Sequence, residues 1–376
     1  MSRQGGEARA GRMAAVRRRM VEVGVEALLV SLGADLPWLT GYEAMPLERL
    51  TMLVLPADGE ATLVVPALEA PRVRPDDALF RLRPWGETED PVGIVAAMVG
   101  GRRNLAVSDR TWATFVLGLQ SALPGAAWGP ASRVTAGLRA VKDSGEVAAL
   151  LAAAEAADRV AGALQADEVR LIGRTEAAVS AELGARLRAE GHERVNFAIV
   201  GSGPNSASPH HEAGSRRVEP GELVVCDFGG ILSLADGEPG YCSDITRTVV
   251  TGEPSAEIAE TYAVLQAAQS AAVRQALVGR SGAAVDAVAR AVITEAGHGG
   301  HFIHRTGHGI GLEEHEAPYL VEGNEVGLSA GNAFSIEPGI YLPGRWGMRL
   351  EDIVVATDAG PNSLNRANHA LAVVEA

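Results

Sequence analysis

The sequence predicts an α/β (α+β) protein in two parts, a smaller N-terminal α/β domain over residues 1–138 and a larger domain over 139–376. Three observations predict this. Short β-branched runs alternate with helical spacing up to about residue 130, and Gly125, Pro130 and Gly137 then loosen the pattern. The rest of the chain reads helix, helix, strand pair, helix, helix, strand pair, which is the order of a duplicated α/β unit.

Met13, Val16, Met20 and Val23 recur at helical spacing with Arg17, Arg18 and Arg19 between them, so the chain opens on an amphipathic helix with a solvated basic face. After Gly24, ALLVSLG reads as a strand, and TMLVLP and ATLVVP follow around the turn ADGE. DSGEVAALLAAAEAADRVAGAL begins on a cap-like Asp/Ser and continues as a long Ala/Leu-rich helix. TEAAVSAELGARLRAE gives a second helix and VNFAIVGSG a strand. ELVVCDFGG and YCSDITRTVVTG read as a hairpin, and IAETYAVLQAAQSAAVRQAL and VDAVARAVITEAG as two more helices. NAFSIEPGIYL and MRLEDIVVATDAG form the last strand pair.

The 33 basic and 47 acidic residues give a formal net charge of −14, with a pI near 5.2. That surplus lacks the basic footprint a phosphate backbone or an anionic membrane face requires, so neither nucleic acid nor membrane is an expected partner. Hydrophobic residues at 47% and charged residues at 21% suit a globular core. Two cysteines cannot build a disulfide framework, and no C-x-x-C pair occurs. The first twenty residues carry charges where a secretory signal needs an apolar core, and no stretch reaches the ~20 apolar residues of a membrane span, so a cytoplasmic location is expected. The only lysine is Lys142, in AVKDSGE, which fits no Walker loop, Schiff-base site or Ser-x-x-Lys acylase. No G-x-S-x-G or H-E-x-x-H occurs, and GSGPNS lacks the third glycine of a dinucleotide loop.

Chemistry concentrates late in the chain. Five of nine histidines lie between 298 and 315: His298, His301, His304, His308 and His315. In GHGIG the glycines around His308 permit close approach of backbone and ligand. Asp227, Asp244, Glu337 and Glu351 stand in apolar strand contexts, at the centres of the four late strands, where a carboxylate is expensive unless paired or metal-bound. Four carboxylates and one imidazole suit Mn²⁺, Co²⁺, Fe²⁺ or Zn²⁺. Because carboxylates can bridge, five ligands serve two ions about 3.5–4 Å apart, the separation at which paired metals activate one water. This is a hydrolase constellation.

GSGPNSASPHH, VVCDFGG, GYCSDITRT, FIHRTGHGIGLEEHE, SIEPGIY and MRLEDI together resemble the proline-peptidase family of pita-bread metallopeptidases, which includes prolidases and aminopeptidase P. VKDSGEVAALLAAAEAADRV is similar to the entry helix of that catalytic domain, and DLPWLTGYEA to a motif of the creatinase-type N-terminal domain. The resemblance implies a C-terminal pita-bread fold behind a creatinase-like domain. It implies Asp227, Asp244, His308, Glu337 and Glu351 as ligands of two divalent ions, with Mn²⁺ first among Mn, Co, Zn and Fe. It implies His210, His304 and His315 as groups that support the ligands or contact substrate, with Tyr341 and Arg349 lining the site; charge development during hydrolysis then gives Glu337 the proton-shuttle role and His315, helped by His210, the oxyanion. Arg349 would share a strand face with Glu351 and orient it, whereas His211 matches no functional position and is expected on the surface. The implied reaction is hydrolysis of the N-terminal bond preceding proline in small peptides, by a homodimer.

Two departures bear on specificity. Asp227 and Asp244 are 17 residues apart where the family more often has about eleven, the additional residues falling in GILSLADGEPG, a loop that reshapes the pocket mouth, reaches a neighbouring subunit, or is a tolerated surface insertion. HEAPYL offers Tyr319 where dipeptide-restricted prolidases often carry an Arg for the substrate carboxylate, so a dipeptidase needs another cation, from a loop or a partner subunit. Dipeptidase and aminopeptidase P activity both stay open. Cys226 and Cys242 flank two ligands and read as small buried hydrophobes. The competing readings are a creatinase-like C–N hydrolase, which would lack the full ligand set, and a non-catalytic pita-bread binding protein, which would not need His210, His304 and His315.

Overall fold

A computed structural model describes residues 3–74, 76–234 and 238–375. The chain forms two compact units, one of Met1–Arg139 with Leu234–Pro239 and one of Ala140–Ser233 with Gly240–Ala376.

In the first unit α1 (Arg3–Val23) buries Met13, Val16 and Met20 and exposes Arg18 and Arg19, so the apolar spacing sets its inward face. There follow β1 (Ala27–Val30), α2 (Asp35–Thr40), β2 (Met52–Pro56), β3 (Thr62–Pro66), β4 (Arg81–Trp85), α3 (Pro91–Val99), β5 (Asn104–Val107), α4 (Ala113–Ala122), β6 (Ala127–Pro130) and α5 (Ser132–Ala140). The strands form one mixed sheet in the order β4-β3-β2-β1-β5-β6. Across the ADGE turn β2 and β3 pair antiparallel, with Leu53 opposite Leu63. Leu29, Val54, Val64, Val95 and Leu105 fill one core, each such side chain contributing roughly 1.5–3 kcal/mol when removed from water. Of the long loop expected at the pocket mouth, Ala235–Gly237 lie outside the described residues. The flanking Glu238 groups with this unit and accepts a hydrogen bond from Arg9.

The second unit begins with α6 (Ser144–Gln165). Its N-terminus is a capping box, in which Asp143 accepts from the Glu146 N–H and Glu146 accepts from the Asp143 N–H, both at 2.9 Å. Thr175 caps α7 (Glu176–Ala189) in the same sense. Next come β7 (His192–Ser202), β8 (Leu223–Leu232), β9 (Tyr241–Thr251), α8 (Ala256–Gln275), α9 (Gly282–Glu295), β10 (Gly307–Gly309) and β11 (Glu316–Leu320). The chain ends with β12 (Ala333–Ile336), β13 (Gly339–Leu342), β14 (Trp346–Arg349), β15 (Asp352–Thr357), β16 (Gly360–Ser363) and β17 (Ala372–Val374). Two main sheets result, β17-β9-β8-β7 and β11-β10-β12-β15-β16, with β13-β14 as a separate ribbon. Val160, Leu164 and Leu183 of the first helix pair pack on Cys226, Phe228 and Ile245. Leu265 and Val285 of the second pair pack on Phe334 and Val354.

The last strand pair differs from its sequence reading. Each run breaks at its carboxylate, so Glu337 lies between β12 and β13 and Glu351 between β14 and β15, not at strand centres. Ile336 pairs with Asp352 in one sheet while Gly339 pairs with Arg349 in the other. Pro338 cannot donate to a ladder. The N–H groups of Glu337 and Glu351 turn instead to Thr306 O (2.8 Å) and Thr246 O (3.3 Å). Both carboxylates therefore sit at the bend where the ribbon changes sheets.

Lys142 is buried against Glu316, an ion pair inside the second unit that gives the only lysine a structural place. Both cysteines are free and buried. Among the described residues no helix is long and apolar enough to cross a membrane.

Candidate metal centre

Side chains on opposed residues of an antiparallel pair share one face. Asp227 of β8 lies opposite Thr246 of β9, and Asp244 opposite Gly229, so Asp227 and Asp244 are diagonal neighbours on one face. A Cβ at Gly229 would lie 2.2 Å from Ser243 O, so glycine alone keeps that register. His308 is at the middle of β10, its N–H bound to Ser335 Oγ at 3.0 Å. The flanking glycines admit backbone on both sides, since a Cβ would meet Ser335 O at 1.9 Å from Gly307 and Ala317 O at 2.2 Å from Gly309. Gly307→Ala is therefore expected to destabilise the protein by about 1–3 kcal/mol. Urea unfolding measures this, and an unchanged midpoint would contradict the close packing at His308.

Five predicted ligands converge. One ligand atom from each of Asp244, His308 and Glu351 lies within 4.8 Å of the others, and all three residues are buried. His308 Nε2 is 3.2 Å from Glu337 Oε1 and 3.7 Å from Asp244 Oδ2. Asp227 Oδ2 accepts from Arg349 Nη2 at 2.6 Å, and Glu351 Oε2 accepts from Thr246 Oγ1 at 2.7 Å. Among the described residues, Asp227 Oδ1 and Glu351 Oε1 are buried with no hydrogen-bond partner. Orphaned carboxylate oxygens of this kind are costly, and a divalent cation satisfies them. His308 Nδ1 lies 3.2 Å from Gly309 O, a carbonyl that holds a proton on Nδ1, while Nε2 faces Glu337 and Asp244, where a bound cation would displace the proton Nε2 shares with Glu337. The donor set is oxygen-rich with one imidazole, and the residues fit a hard or borderline divalent ion.

Charge follows the same logic. Burial, then the charges of neighbouring carboxylates, pushes the Asp244 and Glu351 carboxyls well above their usual range. Asp227 is also raised by burial, against the pull of Arg349. Burial pushes Glu337 up too, yet the hydrogen bond and charge of His308, with His304 and Arg349, hold it at about 2. Metal binding displaces the protons such a cluster retains. Burial and the charges of His308 and Arg305 lower His315 to about 4, so it is neutral near pH 7. His304 is lowered by burial. Its Nδ1 lies 2.8 Å from Arg305 O and its Nε2 2.9 Å from the Tyr341 hydroxyl. With Nδ1–H given to the Arg305 carbonyl, Nε2 is the acceptor, so the Tyr341 hydroxyl donates to it while accepting from Arg349 Nη1 at 2.8 Å.

These groups line a cavity of about 470 Å³. His210, His304, His315 and Arg349 are on its wall with the five predicted ligands, as are Phe197, Ile199, Pro209, Arg305 and Glu314. Tyr341 is not on the wall but is buried behind it, joining His304 to Arg349. Arg349 does not orient Glu351 across a shared strand face, because β14 ends at Arg349 and Glu351 lies beyond it. It binds Asp227 directly and reaches Glu351 through Thr246, donating from Nε to Thr246 Oγ1 at 3.1 Å. Thr246 escaped the sequence reading, although its place two residues after Asp244 on one strand face was the available signal. His211 is only partly at the surface and is not idle there. Its side chain is 19% exposed and its Nε2 lies 2.8 Å from the buried Glu176 carboxylate.

A family model described as metallopeptidase family M24 matches residues 148–358, and one described as the creatinase/prolidase N-terminal domain matches residues 12–141. Among curated proteins, the "Probable dipeptidase PepE" of Mycobacterium tuberculosis is 44% identical over 372 residues, 98% of this chain and 97% of the relative. An "Xaa-Pro dipeptidase" of Lactobacillus delbrueckii subsp. lactis is 35% identical, over 90% of this chain and 92% of its own. Among solved structures, dipeptidase PepE from Mycobacterium ulcerans superposes with a TM-score of 0.91 at 46% identity, covering 98% of each chain.

Proposed function

The chain belongs to metallopeptidase family M24, and from that premise we propose that it hydrolyses dipeptides with proline in second position, using two divalent ions. The observation that carries the reading is the convergence of Asp227, Asp244, His308, Glu337 and Glu351 with two orphaned carboxylate oxygens among them. Bound there, the ions would supply Lewis-acid polarisation of the scissile carbonyl and a water acidic enough to act as nucleophile near neutral pH. Mn²⁺ suits the oxygen-rich donor set.

The chain's own groups divide the remaining work. Glu337 Oε1 faces His308 Nε2 and accepts from Ser335 Oγ at 3.0 Å, which leaves Oε2 to carry the proton toward the leaving nitrogen. Neutral His315, with His210, donates to the oxygen that gains negative charge. His304, tied through Tyr341 to Arg349, borders the substrate from the other end of that hydrogen-bond chain.

Arg305 supports the dipeptide limit. Its guanidinium lies 4.6 Å from the Tyr319 ring centroid, on the cavity wall, and among the described residues it forms no ion pair. A stacked guanidinium is a suitable anchor for a carboxylate, and in a dipeptide that carboxylate lies one residue from the scissile bond. The names of the similar proteins, "Probable dipeptidase PepE" and "Xaa-Pro dipeptidase", agree with this choice.

Assays with Ala-Pro, Gly-Pro, Ala-Pro-Ala and Met-Ala-Ser, each with added Mn²⁺, Co²⁺ or Zn²⁺, test the reading. Proline release from the two dipeptides alone is expected. Cleavage of Ala-Pro-Ala at a comparable rate would move the assignment to an aminopeptidase. Loss of one charge-assisted hydrogen bond lowers affinity by roughly 10- to 100-fold, so Arg305→Ala is expected to lower kcat/KM for Ala-Pro by that factor, chiefly through KM. With Ala-Pro amide, which has no carboxylate, the variant and the wild type should converge. An equal loss on both substrates would remove Arg305 from carboxylate recognition.

A further inference from the structure

Glu176, the first residue of α7, is fully buried, and its hydrogen bonds go to none of the five candidate ligands. Its oxygens accept from Ser202 N (2.8 Å), Ser202 Oγ (2.7 Å), Asn205 Nδ2 (3.0 and 3.1 Å) and His211 Nε2 (2.8 Å). These donors belong to Ser202–His211, the segment that leaves β7 through a tight turn, and one long bond of 3.5 Å comes from the Gly214 N–H beyond it. Burial pushes the Glu176 carboxyl up, but the hydrogen bonds from His211, Ser202 and Asn205 outweigh it and hold the group below the usual carboxylate range. It is an ionised, fully engaged carboxylate, the condition under which a buried charge is tolerated.

The same segment meets the cavity. Pro209 O accepts from Arg349 Nη1 at 3.3 Å, and Ser206 Oγ accepts from the Gly347 N–H at 2.8 Å. Pro209 and His210 line the wall. Among the described residues no hydrogen bond holds the His210 ring itself, so its place depends on the backbone that carries it. That backbone is fixed from two directions: by Arg349 and β14 on the site, and by Glu176 through five hydrogen bonds.

We propose that Glu176 is a positioning residue of the active site: with His211 it clamps Ser202–His211 and thereby sets where the Pro209 carbonyl and the His210 imidazole stand. The proposal rests on the reading that His210 acts on bound substrate. Displacing a catalytic group by about 1 Å can lower rates by about 100-fold. The positioning role predicts a loss in kcat with little change in KM or in bound metal, because among the described residues Glu176 hydrogen-bonds none of the five candidate ligands.

The test compares Glu176→Ala, Glu176→Gln, His210→Ala and the two double variants in the full-length, Mn²⁺-loaded enzyme. Steady-state turnover of Ala-Pro, metal content and amide hydrogen exchange are measured together. Glu176→Ala is expected to lower kcat by about 10- to 100-fold with metal content kept, Glu176→Gln to fall between it and the wild type, and neither change to slow the enzyme further once His210 is alanine. Exchange over Gly203–His211 is expected to speed up by about tenfold or more while β8 and β9 keep their protection. Should Glu176→Ala fail to fold, Glu176→Gln is read in the same cycle. A full repeat of the rate loss in the His210→Ala background, or unchanged exchange over the segment, would overturn the proposal. Wild-type protein without turnover on any peptide would defeat the functional reading alone, and the exchange measurement would still decide the positioning claim.

Discussion

Glu337→Ala is expected to lower kcat on Ala-Pro by about 10²–10⁴-fold, the range for loss of a positioned general base, while the protein stays folded. Glu337 stands at the bend between β12 and β13, where its carboxylate accepts from Ser335 Oγ and pairs with His308. Its charge also helps to raise the carboxyls of Asp227, Asp244 and Glu351. Alanine removes both the proton carrier and one negative charge from a crowded cluster. The metal-free variant should stay folded but unfold at a lower urea concentration than metal-free wild type, because a carboxylate held at about 2 by His308, His304 and Arg349 contributes stability at neutral pH. A folded variant that still turns over Ala-Pro at the wild-type rate would show the assignment to be wrong.

Arg349→Met is expected to destabilise the metal-free protein by about 3–5 kcal/mol, the cost of removing one partner from a buried ion pair. Arg349 is 2% exposed and donates to Asp227, Tyr341, Thr246 and Pro209. Methionine keeps much of the volume and none of these donors, so Asp227 is left with a charge and no cation. Added Mn²⁺ should restore part of the loss, since a ligand that binds only the folded state stabilises it by about 2.7 kcal/mol at 100 times its Kd. Urea unfolding with and without Mn²⁺ reads both effects. A loss below about 1 kcal/mol, as found for exposed pairs, would mean that Asp227 does not depend on Arg349.

What could be read in the sequence was whatever leaves a local trace. Asp227 and Asp244 are polar residues inside long β-branched runs, and both lie within strands of one hairpin. His308 was marked by its glycines, and the close backbone contacts at Gly307 and Gly309 explain why no larger residue stands there. The bends at Glu337 and Glu351 were not legible, because SIEPGIY and MRLEDIVV each read as one continuous strand. Only the pairing of Ile336 with Asp352 and of Gly339 with Arg349 shows that the ribbon changes sheets between them.

Relations between distant residues left no such trace. His211 looked like the spare member of SPHH, and its partner Glu176 is 35 positions away at the start of a helix, where an acidic residue is expected for reasons of helix polarity alone. Arg305 sits beside His304 in the motif FIHRTGHGIG, yet only its stacking on Tyr319 brings it forward as the loop cation we propose for the substrate carboxylate. Lys142 was readable by elimination as non-catalytic, whereas its burial against Glu316 required the fold.

The most direct test of the metal-centre reading is the number of divalent ions bound per chain, measured by elemental analysis on dialysed protein alongside turnover of Ala-Pro. Two ions per chain are predicted, with turnover abolished by a chelator, restored by Mn²⁺, and absent from an Asp244→Asn variant that binds less metal. Undiminished hydrolysis of Ala-Pro by protein stripped of divalent metal would contradict it.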